Sequence, residues 1–334
     1  MKILAFGEIL LRLSPPGREL LLQTPKLDVW VAGAEANVAG ALARLGHDVA
    51  FASAVPDNDL GRAAVAFLRG AGVDTSGIQL RGERMGLYFA TSGAGLRATE
   101  VLYDRAHSAF AEAPTDAWDW DRLLDGVDRL LLSGITPALG PVPAASAIAA
   151  AEAAMTRGIP IAFDGNWRGK LWERWDSDPR AVLTQLVDKA DLLFGNHRDI
   201  ALLLARDFPE DGEARRRAAV EAAFAAFPRL QTIASTARHV EHVDLNRLSA
   251  RVDTRSDSAQ TDDVVLAGIV DRIGGGDAFA AGVLHALRTG GDPAAAARTG
   301  LALAALKHSL PGDACLFRQA DIDSYLEGGL DVRR

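Results

Sequence analysis

A single cysteine, Cys315, excludes an intramolecular disulfide, and the seven histidines are scattered without a zinc-like grouping. His239 and His242 are three apart, but no cysteine or carboxylate spacing surrounds them, and they read as surface residues. Long apolar runs are also missing. Ile3-Leu4-Ala5-Phe6 is stopped by Gly7 and Glu8, too short for a signal-peptide core, and no later stretch approaches a membrane span, so a cytoplasmic protein without a membrane partner is expected. Positive charge is in deficit, with 36 Lys and Arg against 44 Asp and Glu and a formal net charge of -8. That balance argues against nucleic acid as a partner while leaving room for a local basic pocket that takes one acidic metabolite. What is present is a hydrophobic fraction of 49% over 334 residues, enough for a sizeable core in one large domain.

Short β-prone runs alternate with alanine-rich helical stretches, the pattern of parallel strands joined by crossover helices, which predicts a layered α/β domain. Strands are expected over 3–6, 49–54, 130–132, 159–163, 192–194 and 231–234, and helices over 35–45, 61–71, 141–157, 179–189, 212–227, 278–288 and 293–308. Ligands of such sheets gather beyond the carboxyl ends of strands, which singles out Asp164, Asn166, Asn196 and Ser235. Two stretches, 12–32 and 86–107, lack a helical period, and the second pairs Leu87-Tyr88-Phe89-Ala90 with Val101-Leu102-Tyr103 across a glycine-bearing turn. Together they predict a small β-sheet lid inserted into the single domain.

Two glycine patterns are decoys. Gly93 to Ala98 fits a dinucleotide fingerprint but lies between hairpin strands rather than between a strand and a helix. The stretch from Gly165 to Leu171 is one residue short of a phosphate-binding P-loop, and no Ser or Thr follows Lys170.

The informative run is Gly274-Gly275-Gly276-Asp277, followed at once by an alanine-rich helix. Residues without a Cβ let successive amides converge at a helix start, where the macrodipole already favours an anion such as a phosphoryl group. An aspartate beside that pocket can accept the proton of an attacking hydroxyl, the one proton transfer that phosphoryl transfer to an alcohol needs. The same residues also fit a tight turn with Asp277 as its cap. A second motif, Ala32-Gly33-Ala34-Glu35-Ala36-Asn37, places a glycine and an amide side chain at the mouth of a helix, where a polyol can approach the backbone.

Taken together, Gly33 to Asn37 and Asp271-Arg272-Ile273-Gly274-Gly275-Gly276-Asp277 resemble the two signatures of the ribokinase-like, or PfkB, carbohydrate kinases, and the likeness extends over nearly the whole chain. Leu132 to Leu139, Phe163 to Arg168, Leu171-Trp172 and Leu306 to Asp313 are most similar to the 2-keto-3-deoxygluconate kinases within that family. The resemblance implies a three-layer αβα sandwich with a mainly parallel central sheet and a β lid, ATP as donor, Mg2+, and transfer of the γ-phosphoryl group to the 6-hydroxyl of the sugar acid. Asp277 would be the general base, and Gly274, Gly275 and Gly276 the anion hole. Gly33, Asn37, Tyr88, Tyr103, Arg105, Asn166, Arg168 and Asp313 would bind substrate. Asn196, Ser235, Ala237, Gly274, Gly276 and His308 would bind the nucleotide, and Asp199 of the Asn196-x-x-Asp199 element would act on the metal indirectly.

The acidic substrate can also be argued from charge, because a buried carboxylate needs guanidinium donors in place of its water, and Arg105 and Arg168 stand at matching positions; the alternative is that Arg105 pairs with Asp104 or a lid carboxylate and the tyrosines are sheet packing. The alternatives are a fructokinase or another neutral-sugar or nucleoside kinase of this fold, and a sugar- or nucleotide-binding sensor without turnover. Arg272 replaces the small residue usual in the signature, and Ser235 to Val240 replaces a glycine-bearing loop. Epimer preference and assistance by a monovalent cation stay open, and the exposed lid edges predict a homo-oligomer.

Overall fold

A computed structural model describes residues 2–328. Its strands are β1 (Lys2–Phe6), β2 (Leu10–Ser14), β3 (Asp28–Ala32), β4 (Asp48–Val55), β5 (Asp74–Leu80), β6 (Gly86–Thr91), β7 (Glu100–Asp104), β8 (Val127–Ser133), β9 (Ile161–Asp164), β10 (Leu192–Phe194), β11 (Thr232–His242), β12 (Leu245–Thr254), β13 (Ser258–Gln260) and β14 (Val264–Ala267). The large sheet runs β13-β12-β11-β10-β9-β8-β1-β4-β5, with β14 paired to β12. From β11 to β5 every pairing is parallel, and the pairings of β12 are antiparallel.

Burial on both faces explains why the central strands read as continuous apolar runs. Ile3 and Ala5 of β1 join one core and Leu4 and Phe6 the other, and the same division separates Leu131 from Leu130 and Leu132, and Leu193 from Leu192 and Phe194. The first core is covered by helices Ala34–Arg44, Asp59–Gly70, Gly275–Arg288 and Pro293–Lys307, and the second by Pro141–Thr156, Pro179–Val187, His197–Leu204 and Gly212–Ala226. The result is the expected three-layer αβα sandwich. The seven expected helices all form with boundaries within three residues of those expected, and His197–Leu204 is a helix that was not expected. Strands β5, β12, β13 and β14 stand where no strand was expected, and among the expected strands the largest departure is β11, which continues eight residues past Ala234 to His242 and turns back as β12. Ser235 to Val240 is therefore strand and not the loop that usually faces the nucleotide.

The strands from the two irregular stretches form a separate sheet in the order β3-β2-β6-β7, mixed rather than wholly antiparallel because β2 and β6 run parallel. Tyr88 and Tyr103 are direct cross-strand partners, and their rings lie 6.4 Å apart. The Gly93 to Ala98 decoy is the β6–β7 connection, closed by an Ala94–Arg97 bridge. Arg12 of β2 anchors this sheet to the main body. Its guanidinium, 3% exposed, reaches Asp271 at 2.6 Å and Asp313 at 3.1 Å.

Helix Gly275–Arg288 is pressed against Pro293–Lys307 through facing glycines. A Cβ on Gly282 would fall 2.8 Å from the Gly300 Cα and 2.8 Å from the Thr299 carbonyl oxygen, both backbone atoms that cannot rotate away. Gly282→Ala is therefore expected to cost about 1–3 kcal/mol in urea denaturation, through forced separation of the two helices. Arg12→Ala leaves two buried carboxylates facing each other without their cation. It is expected to cost about 3–5 kcal/mol in the same measurement, and a loss below 1 kcal/mol would show that Arg12 is not the anchor.

Candidate active site

A cavity of about 620 Å³ opens beyond the carboxyl ends of β8 to β10 and along the middle of β11, with the small sheet along one side. The chain runs from β1 to β4 on one side and later returns to β8 on the other, so the cleft lies where the strand order reverses.

The turn before helix Gly275–Arg288 shapes its centre. Gly274 has φ +83°, and a Cβ there would lie 2.0 Å from the Asp313 carbonyl oxygen, so both conformation and space require glycine. The helical ladder starts with the Ala278 amide donating to Gly274 O at 2.9 Å. The amides of Gly276 and Asp277 precede that bond, at the positive end of the macrodipole, and both residues line the cavity with Gly274. Gly275 corrects the expected three-glycine hole. Its amide donates to Arg272 O at 3.3 Å, and it is absent from the lining. His308 lies against Gly275, where a Cβ would come within 2.9 Å of its ring. Its Nδ1 is 2.6 Å from Ala304 O. His308 therefore supports the turn from behind instead of lining the nucleotide space.

Asp277 Oδ2 accepts a hydrogen bond of 2.7 Å from Asn37 Nδ2. Burial pushes its carboxyl up to about 7, against the pull of the Asn37 bond and with a further push from Asp313. Asn37 is held at the start of its helix by Gly33, whose φ of +142° places the backbone so close that a Cβ would be 2.3 Å from Glu8 O. Beneath them Glu35 accepts from the Ser133 and Thr136 hydroxyls, each at 2.7 Å, and burial holds its carboxyl above the usual range.

The strand ends add more carboxylates. Asp164 is pushed up to about 8, first by burial and then by Asp277, with Arg168 opposing. Asp199 is raised by burial against its own cap bond, in which Oδ2 accepts from the Asn196 amide at 2.8 Å. The aspartate is thus spent on closing a helix start, while Asn196 Oδ1 takes the Arg198 amide at 2.8 Å. All three line the cavity, but among the described residues no three potential ligands converge on a metal position.

Asn166, at φ +41°, and Arg168 both line the cavity from the segment after β9. Tyr88, Tyr103, Arg105 and Asp313 line it as well, but three of these are already engaged. Arg105 Nε bonds Glu8 Oε2 at 2.6 Å in a buried pair, with the Ser108 hydroxyl on the other Glu8 oxygen. Arg105 is therefore not a free counter-charge matching Arg168. Tyr88 donates to Asp313 Oδ2 at 2.5 Å and Arg12 takes Oδ1, so Asp313 joins the small sheet to the glycine turn. On the far side Ser235, Thr236 and Arg238 line the cavity and Ala237 does not, which removes Ala237 from the expected nucleotide contacts. Asp164 was legible as a strand-end residue but received no role, and Trp167, Arg198, Thr236 and Arg238 also line the cavity without an assigned role. Arg12 and Glu8 left no sequence signal, because their partners lie 301 and 97 residues away.

A family model described as pfkB family carbohydrate kinase matches residues 1–315. A 2-dehydro-3-deoxygalactonokinase of Haloferax volcanii is 34% identical over 328 residues, covering 98% of this chain and 97% of that protein. A 2-dehydro-3-deoxygluconokinase of Thermoproteus tenax is 30% identical over 219 residues, 65% of this chain and 66% of that one. The crystal structure of a 2-dehydro-3-deoxygluconokinase from Thermotoga maritima superposes with a TM-score of 0.93 at 35% identity, covering 98% of this chain and 100% of that chain. With its glycine turn, buried aspartate and β-sheet-flanked cleft, the chain belongs to the PfkB family of carbohydrate kinases, phosphotransferases that act on a sugar hydroxyl.

Proposed function

We propose that the chain transfers the γ-phosphoryl group of ATP to the 6-hydroxyl of 2-keto-3-deoxygluconate, giving the 6-phosphate and ADP. The observation that carries this reading is Asp277, bonded to Asn37 and poised near neutrality beside the open amides of Gly276 and Asp277. In its ionised form Asp277 takes the proton of the sugar hydroxyl as that oxygen bonds to Pγ and the bond from Pγ to the β–γ bridging oxygen breaks. The amides of Gly276 and Asp277 stabilise charge on the moving group without reorganising. Gly33 admits the sugar close to the backbone, Asn37 and Asn166 read its hydroxyls, and Tyr103 with Val101 closes the small sheet over it as a lid.

The substrate carboxylate falls to Arg168. Its guanidinium already acts on Asp164 and Asp277, whereas Arg105 is neutralised by Glu8. Because no three potential ligands converge among the described residues, a Mg2+ would arrive on the triphosphate, and Asp164 and the Asp199 oxygen not used in its cap would be the acidic groups on hand to hold it. Such a Mg2+ would shield the phosphate charge. The galacto epimer is the second reading, favoured by the likeness to the Haloferax volcanii kinase. Outward-facing Val29 and Leu102 on the lid support assembly of copies through that sheet, in the cytoplasm.

Coupled ADP release against 2-keto-3-deoxygluconate, its galacto epimer, fructose, ribose and adenosine tests the assignment. Turnover is expected for the keto-deoxy acids, and preference for a neutral acceptor would overturn it. Asp277→Asn is expected to keep ligand binding and lose about two to four orders of magnitude in kcat. Because only ionised Asp277 accepts a proton, kcat/KM of the wild type should fall as pH drops through about 7. Arg168→Ala should raise KM for the sugar acid by roughly tenfold or more while leaving that for ATP within about twofold. An equal loss for both ligands in a folded variant would assign Arg168 to structure.

A further inference from the structure

We propose that Arg238 and Arg272 form a two-guanidinium clamp for the β- and γ-phosphates of the nucleotide donor, an addition to the amides of the glycine turn. The inference rests on the kinase reading and extends it to the half of the cleft away from the sugar.

Both side chains line the cavity. Neither is hydrogen-bonded or ion-paired among the described residues, whereas Arg12, Arg105 and Arg251 each hold a carboxylate. They are also close enough to repel. Arg238 is held below the usual guanidinium range by burial and then by the charge of Arg272. Two unpartnered like charges on the wall of one open cleft repel each other, and an anion placed between them relieves that repulsion whereas a neutral ligand does not.

Sheet order identifies which anion. The small sheet continues from β1, and Gly33 and Asn37 lie beside it, so the sugar occupies the β1 side of the cleft. Arg238 projects from β11, three strands beyond β8 and at the opposite end of the cavity. Arg272 is two residues before Gly274, at the turn that presents amides to the phosphoryl group, and its own carbonyl is fixed by the Gly275 amide. The backbone on either side is also pinned, because Asp271 accepts from the Ile273 and Gly312 amides at 3.0 and 3.2 Å. The backbone from which the Arg272 side chain extends is thus fixed beside the glycine turn, and a guanidinium fork matches phosphate oxygens in pairs. The unusual arginine of the signature and the strand that replaces the usual loop thereby receive one common function.

Equilibrium binding of Mg·ATP, Mg·ADP and adenosine to the full-length wild type, Arg238→Gln and Arg272→Gln tests the clamp, with circular dichroism to establish folding. Each variant is expected to weaken ATP by about tenfold or more, weaken ADP measurably, and leave adenosine and the KM of the sugar acid within about twofold. Arg272→Lys should recover part of the loss, since it keeps the charge without the fork. Unchanged ATP affinity would overturn the clamp. So would a loss that falls on the sugar acid instead, which would make these arginines carboxylate ligands, or an equal loss for adenosine, which would make their role structural. Wild-type turnover is followed in parallel, so phosphate-specific losses in an enzyme that ignores 2-keto-3-deoxygluconate would uphold the clamp while removing the substrate assignment.

Discussion

A hydrogen bond of 2.7 Å from Asn37 to Asp277 joins the first turns of two helices whose residues are 240 positions apart, and the chemistry of the cleft depends on it. Each helix begins at a glycine with positive φ, and each glycine is pressed against a carbonyl oxygen from another loop. The acid is thus fixed in direction by an amide and raised in pKa by its surroundings, while the adjacent main-chain donors remain outside the helical ladder. Burial favours the protonated carboxyl. The Asn37 bond pulls in the other direction and leaves Asp277 near neutrality, where it can both hold and release a proton.

The small sheet is tied to this centre by charge as well as by chain connectivity. Arg12 bridges Asp271 and Asp313, Tyr88 adds its hydroxyl to Asp313, and the Asp313 carbonyl oxygen packs on Gly274. The sheet is therefore linked by direct contacts to the turn that presents the amides. Glu8 and Arg105 make a second link at the other end of the sheet, where the segment after β7 meets the segment after β1. The side of the cleft that would close over an acceptor is thus coupled to the groups that would act on its hydroxyl.

Much of the fold was legible because its causes are local. Doubly buried strands such as Ile3 to Phe6 are continuous apolar runs, and the helices between them are rich in alanine and bounded by Gly, Pro or Asp. The far half of β11 was not legible, since Thr236, Arg238, His239 and Glu241 lie on a hairpin arm with little to bury and carry no apolar alternation. In the cleft, Asp277, Gly274 and Asn37 announced themselves through motif spacing. The engagement of Arg105 with Glu8 and of Asp313 with Arg12 did not, because ion pairs made across a whole domain leave no trace in neighbouring residues. His308 lay close to the correct place but on the wrong side of the glycine turn, a distinction of one layer that spacing does not encode.

The fold itself holds the Asp277 carboxyl near neutrality before any ligand arrives. Its titration by carbonyl-carbon NMR in the ligand-free protein, with Asp277→Asn to assign the resonance, measures this directly. A midpoint near 7 is expected. A midpoint near 4, the value of an ordinary exposed aspartate, would contradict it.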